Sequence, residues 1–174
     1  IADYPFTTKH PNLGIVSLGG DAAFVVADLP GLIEGASQGV GLGHEFLRHV
    51  ERTRVLVHLV EPFPTDGADP VRNYHAIRRE LELYSRPLAE KPEVVCVSKA
   101  ELTGADEVRD RLAAELGVDV FLISSVTGLG LSKVVGRTAE LLAEIKRARA
   151  EAKARAKPVE FATEPAVRTD EGQP

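Results

Sequence analysis

The chain has 174 residues, of which 44% are apolar and 5% aromatic, and its formal net charge is −5. This composition is typical of one α/β domain with an aliphatic core, and the acidic charge argues against a nucleic-acid-binding surface over the whole molecule. Because no apolar run approaches the ~20 residues that span a bilayer and no signal peptide opens the sequence, we expect a cytoplasmic protein without a membrane span.

Two short apolar runs near the amino terminus predict a β-hairpin. Residues 15–18 and 24–27 are apolar or β-branched for the most part, and a Gly-Gly-Asp turn lies between them, which is a hairpin signal. The second strand leads into Asp28, the first residue of Asp-Leu-Pro-Gly. A carboxylate at the carboxyl end of a strand lies where open α/β sheets bind ligands, and it can reach Mg²⁺ directly or through water.

The residues that follow Asp28 favour a phosphate ligand. Gly31 has no side chain, so its N–H can approach a terminal phosphate closely. The later glycines make a segment that a bound phosphate can order and then release. Taken alone, Asp-x-Pro-Gly is explained equally well by a strand that ends in an ordinary Pro-Gly turn.

Apolar spacing predicts strands that alternate with helices over the rest of the chain. Such alternation favours an α/β fold with a mostly parallel sheet and crossover helices. The single cysteine, Cys96, lies inside an apolar run, so we expect a small buried hydrophobe and neither a disulfide nor a metal ligand. The predicted elements are a helix over 42–53, a strand over 54–60, a helix over 71–88, a strand over 93–97, a helix over 108–116 ending at Gly117, a strand over 118–123 and a helix over 131–145.

The carboxyl-terminal segment has a different composition. Residues 146–157 contain only Ala, Lys, Arg, Glu, and six basic residues against Glu151 give a local charge of +5. This run either extends the last helix as a solvated end, which is the simpler interpretation, or forms a basic arm that contacts RNA. Residues 158–174 are rich in Pro, Glu, Thr and Gly, a composition typical of disorder. We therefore place the folded domain at 1–147 and predict that the basic, then polar, tail at 148–174 is disordered.

Four motifs together resemble the Obg family of GTPases over residues 1–147. The resemblance implies a P-loop NTPase-type α/β fold, a mostly parallel sheet with flanking helices, and a domain that binds GTP and GDP with Mg²⁺. The motifs are Asp-Tyr-Pro-Phe-Thr-Thr at 3–8, Pro-Asn-Leu-Gly at 11–14, Asp-Leu-Pro-Gly-Leu-Ile-Glu-Gly-Ala at 28–36 and Gly-Val-Gly-Leu-Gly-His at 39–44.

The resemblance also implies roles for the residues around the phosphates. Thr8 matches the metal-binding threonine of the first switch, and Asp28 matches the metal-binding aspartate that opens the second. Pro30 and Gly31 then lie against the nucleotide, with Thr8 and Gly31 also assisting hydrolysis. Many GTPases place a Gln after this glycine to position the attacking water. Leu32 stands here, as in Obg proteins, which predicts slow hydrolysis.

Base recognition in the same superfamily uses Asn-Lys-x-Asp after a strand. This chain has Ser98, Lys99, Ala100 and Glu101 at that place. The lysine is kept, Ser98 replaces Asn, and Glu101 replaces Asp with one more methylene. Both replacements keep the type of hydrogen bond but change its reach. The resemblance implies guanine as the base.

A second base-binding loop is expected after the next predicted strand. Ser124, Ser125 and Val126 match the Ser-Ala-x loop of the family, whose backbone N–H meets guanine O6. By itself this run is typical of a helix-start loop with Ser and Thr caps. The Ser-Lys-Ala-Glu motif before it favours the base-binding interpretation.

One expected motif does not occur in the sequence. No Gly-x-x-x-x-Gly-Lys-Ser/Thr occurs in the 174 residues, although that loop supplies most of the phosphate contacts in P-loop proteins. The resemblance places it shortly before Asp3, so we expect the first strand, the phosphate loop and the first helix to be missing from this chain.

For the complete protein the resemblance implies a monomeric, slowly hydrolysing GTP switch that acts in assembly of the ribosomal large subunit, through the subunit or its rRNA. The alternative is a nucleotide-free interaction module, or a fragment, that keeps the switch surface without GTP binding.

Overall fold

The computed structural model describes residues 12–28 and 50–155, which form a two-stranded and a three-stranded sheet, four helices, and one further helical turn at 50–52. Strands β1 (Asn12–Gly19) and β2 (Ala22–Asp28) are antiparallel. Strands β3 (Leu56–Val60), β4 (Glu93–Val97) and β5 (Val120–Leu122) form a parallel sheet in that order. The helices are α1 (Pro70–Tyr84), α2 (Arg86–Ala89), α3 (Ala105–Leu116) and α4 (Leu131–Arg155). The α/β class and its parallel sheet are confirmed.

The predicted hairpin is confirmed. Its turn uses Gly19 and Gly20 at φ values of 92° and 59°, a region that side chains other than glycine rarely occupy. The ladder closes at its open end with Asn12 opposite Asp28. The hairpin therefore presents Asp28 as the last paired residue of β2.

Strand β4 is the centre of the core, and its side chains divide between two hydrophobic clusters. Val95 and Val97 pack with residues of α1 and α3, whereas Val94 and Cys96 pack with residues of α4. This division follows from the alternation of side chains across a sheet. Cys96 is a fully buried free thiol whose pKa is raised to about 12 by burial, which confirms its role as a small hydrophobe.

The ends of several elements differ from the predicted ones for local reasons. The helix predicted over 71–88 breaks at Ser85, because Pro87 has no N–H to continue the helical ladder. The strand predicted over 118–123 is only Val120–Leu122, because Gly117 ends α3 in a left-handed conformation at φ 64° and the chain must turn before it enters the sheet. The strand predicted over 54–60 likewise begins only at Leu56.

The predicted disorder of the tail is wrong for residues 148–155, which continue α4. Alanine, arginine, lysine and glutamate are strong helix formers, and a helix already packed on the sheet adds residues without a new nucleation cost. The helical alternative for the basic run thus holds as far as Arg155. Residues 156–174, and the helix predicted over 42–53 apart from its last turn at 50–52, lie outside the described residues. Within the described part of the chain, no helix is both long and apolar enough for a bilayer span.

A half-buried carboxylate, that of Glu93 in β4, connects β3 and β4 to α1. Glu93 lies 2.9 Å from His58 Nδ1 through Oε1, and its Oε2 accepts a 2.9 Å hydrogen bond from the Tyr74 hydroxyl. The Arg78 guanidinium is 3.7 Å away. Burial alone raises the pKa of Glu93, but the contacts with His58, Arg78 and Tyr74 outweigh it and hold this pKa below its usual value.

We expect Glu93→Gln to lower the free energy of unfolding by about 1–3 kcal/mol at neutral pH. Because the folded pKa is below the unfolded one, the carboxylate stabilises the fold above the unfolded pKa, and this stabilisation is lost as the pH falls through the folded pKa. Urea unfolding at a series of pH values should therefore show the gap between wild type and variant narrowing below the usual Glu pKa of 4.5. A gap that stays constant under acid would contradict the assignment.

The matched control is Glu90→Gln. Glu90 pairs with Arg86 at 2.7 Å, but both side chains are largely exposed, so the change should alter stability by less than about 0.5 kcal/mol.

Candidate functional site

Two loops meet at the carboxyl edge of the parallel sheet. One follows β4 at residues 98–104, and the other follows β5 at residues 123–130. Parallel neighbours end at the same edge of a sheet, where open α/β sheets bind ligands. The Ile123 N–H donates to the Val97 carbonyl and the Ala100 N–H donates to the Ile123 carbonyl, both at 2.9 Å. The structure thus brings together the two segments that the sequence predicts for base recognition.

The loop after β4 is held against the end of β3. Ser98 donates to the Val60 carbonyl twice, from its N–H at 2.9 Å and from its Oγ at 3.2 Å. Lys99 has φ 53° and is the one non-glycine with positive φ among the described residues. Its ammonium pairs with the carboxylate of Glu61, just beyond β3. Backbone and side chain of this loop are therefore both anchored before any ligand arrives.

The loop after β5 is closed by Ser124, which is completely buried. Its N–H donates to the Leu129 carbonyl at 3.0 Å, and its own carbonyl accepts from the Gly128 N–H at 2.9 Å. Its Oγ accepts from the Thr127 N–H at 3.0 Å. These bonds are the Ser-capped turn that the sequence also predicts. Ser125 and Val126 lie exposed at the outer side of the turn.

Glu101 belongs to the loop after β4, and its side chain is exposed. A hydrogen bond with the Ser124 side chain, then one with its own backbone N–H and the charge of Lys99, lower the pKa of Glu101. The group is therefore ionised at neutral pH and acts only as an acceptor. An ionised carboxylate in this position can accept two parallel N–H bonds from one planar ligand.

The start of α4 fixes the far end of the second loop. Gly130 has φ 74°, and a Cβ at this position would lie 2.0 Å from the Leu122 carbonyl oxygen and 3.3 Å from Ile123 Cγ2. No side chain fits into that space. Glycine thus allows α4 to begin directly against β5, which determines the length and shape of the loop.

The predicted phosphate and metal side of the site is described in only one residue. Asp28 is exposed at the end of β2, whereas Thr8, Pro30 and Gly31 lie outside the described residues. Within 12–28 and 50–155, no group of three or more His, Cys, Asp or Glu residues could hold a metal ion. The roles of Asp28 and Thr8 as metal ligands stay predictions.

Glu61 is a site residue that the sequence reasoning missed. Its position in the sequence is the signal that could have identified it. Glu61 directly follows the buried end of β3, so it lies at the same edge of the sheet as Lys99.

The sequence of this chain is similar to those of known GTPases. The family model described as "50S ribosome-binding GTPase" matches residues 1–99. The chain is 53% identical over 150 residues to GTPase Obg of Desulforamulus reducens, covering 84% of this chain and 36% of that protein. It is 52% identical over 147 residues to GTPase Obg of Desulforudis audaxviator, covering 83% and 35%. The chain thus spans about a third of the length of these relatives.

A solved structure shows the same fold. An Era variant from Aquifex aeolicus, crystallised with GDP and AlF4−, superposes with a TM-score of 0.59 at 19% identity, covering 81% of this chain and 47% of that one. At this identity the likeness concerns the fold alone, and it agrees with the predicted P-loop GTPase-type architecture.

Proposed function

Because the chain belongs to the Obg family of GTPases, we propose that its protein binds GTP and GDP and hydrolyses GTP slowly as a molecular switch. The observation that carries the proposal is the joining of the two loops at the carboxyl edge of the sheet, which brings Glu101 of one loop to Ser124 of the other. The names of the relatives support the same activity, but this chain covers only 36% and 35% of those proteins.

In the proposed complex the two loops bind the base from two sides. Glu101 accepts hydrogen bonds from guanine N1–H and the exocyclic amine, and the aliphatic stem of Lys99 covers one face of the ring. The outer turn of the second loop, at Ser125 and Val126, brings backbone N–H groups to guanine O6. Ser98 and Ser124 do not need to touch the base, because their hydrogen bonds hold the loops in place. The site is thus preorganised, which reduces the entropy lost on binding.

The phosphate side of the proposal depends on the segments around β2. A carboxylate and a hydroxyl are the hard oxygen donors that Mg²⁺ prefers, so Asp28 and Thr8 would hold the ion. When bound, Mg²⁺ neutralises charge on the β- and γ-phosphates. The Gly31 N–H would donate to the γ-phosphate, with Pro30 fixing the backbone beside it. Leu32 has no polar atom to orient water, which accounts for slow hydrolysis.

The proposed setting is a cytoplasmic, monomeric switch that acts on the ribosomal large subunit. The description of the matched family model supports the ribosomal partner. Guanine-nucleotide binding then gives the switch its two states, because only GTP carries the γ-phosphate that orders Thr8 and Gly31.

We expect Asp28→Ala, in the full-length protein, to weaken Mg²⁺-dependent GTP binding or hydrolysis by roughly tenfold or more, because a carboxylate leaves the metal shell. Thr8→Ala should weaken binding of a GTP analogue much more than binding of GDP, because its partner lies on the γ-phosphate side. Isothermal titration with both nucleotides, with and without Mg²⁺, measures these differences. Equal losses for GTP and GDP in Thr8→Ala would refute the switch assignment. A wild-type protein that binds neither nucleotide would instead favour the nucleotide-free interaction module.

A further inference from the structure

The last ten residues of α4 extend beyond the hydrophobic core. The buried positions of this helix end at Leu141, and Ile145 is half-buried. Every residue from 146 to 155 is exposed. This basic segment, about 15 Å of helix, carries five cations and one acid, Glu151. The five cations are Lys146, Arg147, Arg149, Lys153 and Arg155.

The cations of this segment are not equivalent. Lys146, Arg149 and Lys153 follow one another at spacings of three and four residues, so they share one side of the helix, which we call the basic face. Glu151 is four residues from both Arg147 and Arg155, and it partly neutralises their side. The chain as a whole has a net charge of −5, whereas this helical segment is strongly positive.

The basic face forms no ion pair within the described part of the chain. Among the ion pairs of residues 12–28 and 50–155, none includes Lys146, Arg149 or Lys153. A further cation adjoins the face, since burial and then the nearby charge of Arg149 lower the pKa of Lys91 against the opposing effect of Glu51. Like charges at these spacings repel one another, and a bound anion would relieve that repulsion.

A solvated helix end with favourable dipole interactions explains only part of this pattern. The helix dipole favours cations in the last turn, where Lys153 and Arg155 lie. Its effect falls off within that turn and so gives no reason for Lys146 and Arg149. It also does not distinguish one side of the helix from the other.

We propose that the basic face of α4, formed by Lys146, Arg149 and Lys153, binds the phosphate backbone of RNA. Three cations along about 10 Å of helix neutralise successive phosphates of one strand. A membrane surface is disfavoured because Ala is the only apolar residue type at positions 146–155 of the helix, whereas interfacial helices insert large apolar side chains. The choice of RNA over DNA rests on the proposed ribosomal function; the face itself rests on the charges and the helix.

The test compares two double variants of the full-length protein by fluorescence anisotropy with a labelled RNA hairpin over a range of salt concentrations. Arg149→Gln with Lys153→Gln removes two charges from the basic face. Arg147→Gln with Arg155→Gln removes two charges from the side of Glu151. Each pair includes one last-turn residue, so net charge and dipole effects are matched. Far-ultraviolet circular dichroism checks that α4 keeps its helicity.

The basic-face pair should lose about tenfold or more in RNA affinity near 0.1 M salt. The slope of the logarithm of its association constant against the logarithm of the salt concentration should become less negative by roughly one to two. The control pair should lose less than about twofold. Equal losses for both pairs, no loss in either, or a wild type that does not bind the hairpin would overturn the proposal. Tighter binding of the basic face to a DNA duplex, phosphatidylglycerol vesicles or polyglutamate than to RNA would overturn the choice of RNA.

GTP hydrolysis measured on the same proteins separates this inference from the proposed function. Both double variants should keep wild-type hydrolysis, since none of these residues belongs to the base or phosphate side of the site. An inactive wild type that still binds RNA through the basic face would refute the switch and leave the RNA surface standing.

Discussion

Gly130→Ala is expected to lower the free energy of unfolding by at least about 3 kcal/mol and to abolish nucleotide binding. An L side chain at φ 74° costs roughly 1–2 kcal/mol, and the new Cβ would lie 2.0 Å from the Leu122 carbonyl oxygen. Since backbone atoms form that contact, either β5 or the start of α4 must move. Chemical unfolding followed by circular dichroism measures the loss, and GDP titration shows whether the loop after β5 is disrupted with it.

Gly128→Ala is the matched control two residues earlier. Gly128 has φ 77°, but no atom lies within 4 Å of the position that its Cβ would occupy. Only the conformational cost remains, so the loss should stay at about 1–2 kcal/mol. Similar losses for the two substitutions would mean that the approach of Gly130 to β5 does not constrain the fold.

Glu101→Ala in the full-length protein is expected to reduce the preference for GTP over ATP by roughly a hundredfold, mainly by weakening GTP binding. Guanine offers two donors to the carboxylate, at N1 and at the exocyclic amine. Adenine has no donor at the first position and lacks the second group, so a bound adenine leaves the carboxylate desolvated and unpaired. Competition titration of a labelled GDP with GTP and with ATP measures the ratio.

Two further variants make this expectation specific. Ser98→Asn restores the residue usual in the superfamily and should keep or improve GTP affinity. Ser98 itself holds the loop in place by a hydrogen bond from its hydroxyl to the Val60 carbonyl. Glu101→Gln keeps the size of the side chain but removes the charge and should fall between wild type and alanine. If wild type binds ATP as tightly as GTP, guanine recognition fails, and the extra methylene of Glu101 is the first suspect.

Much of the fold could be predicted from the sequence, because the local sequence signals and the tertiary packing favour the same strands and helix ends. Strand β4 is apolar from Val94 to Val97 and is buried throughout, so its predicted bounds match the observed ones. Gly117 ends α3 because its left-handed φ is accessible to glycine. The hairpin forms where its Gly-Gly turn and the two apolar runs predict it.

The remaining features depend on contacts that no short stretch of sequence contains. Glu61 joins the site only because β3 and β4 end side by side and bring it to Lys99. The clash that reserves position 130 for glycine comes from β5, across the sheet edge. The tail was predicted to be disordered because composition describes a free segment, whereas residues 148–155 extend a helix that the core has already nucleated.

The burial of Cys96 gives this chain an internal reporter of its own opening. It is the single thiol among the 174 residues, it has no exposed surface, and it lies in the middle strand of the parallel sheet. An alkylating reagent reaches its sulfur only when β4 separates from the packed helices. In this chain the rate of thiol labelling under native conditions therefore reports the openings that separate α4 from β4, and fluctuations of the surface loops leave it unchanged.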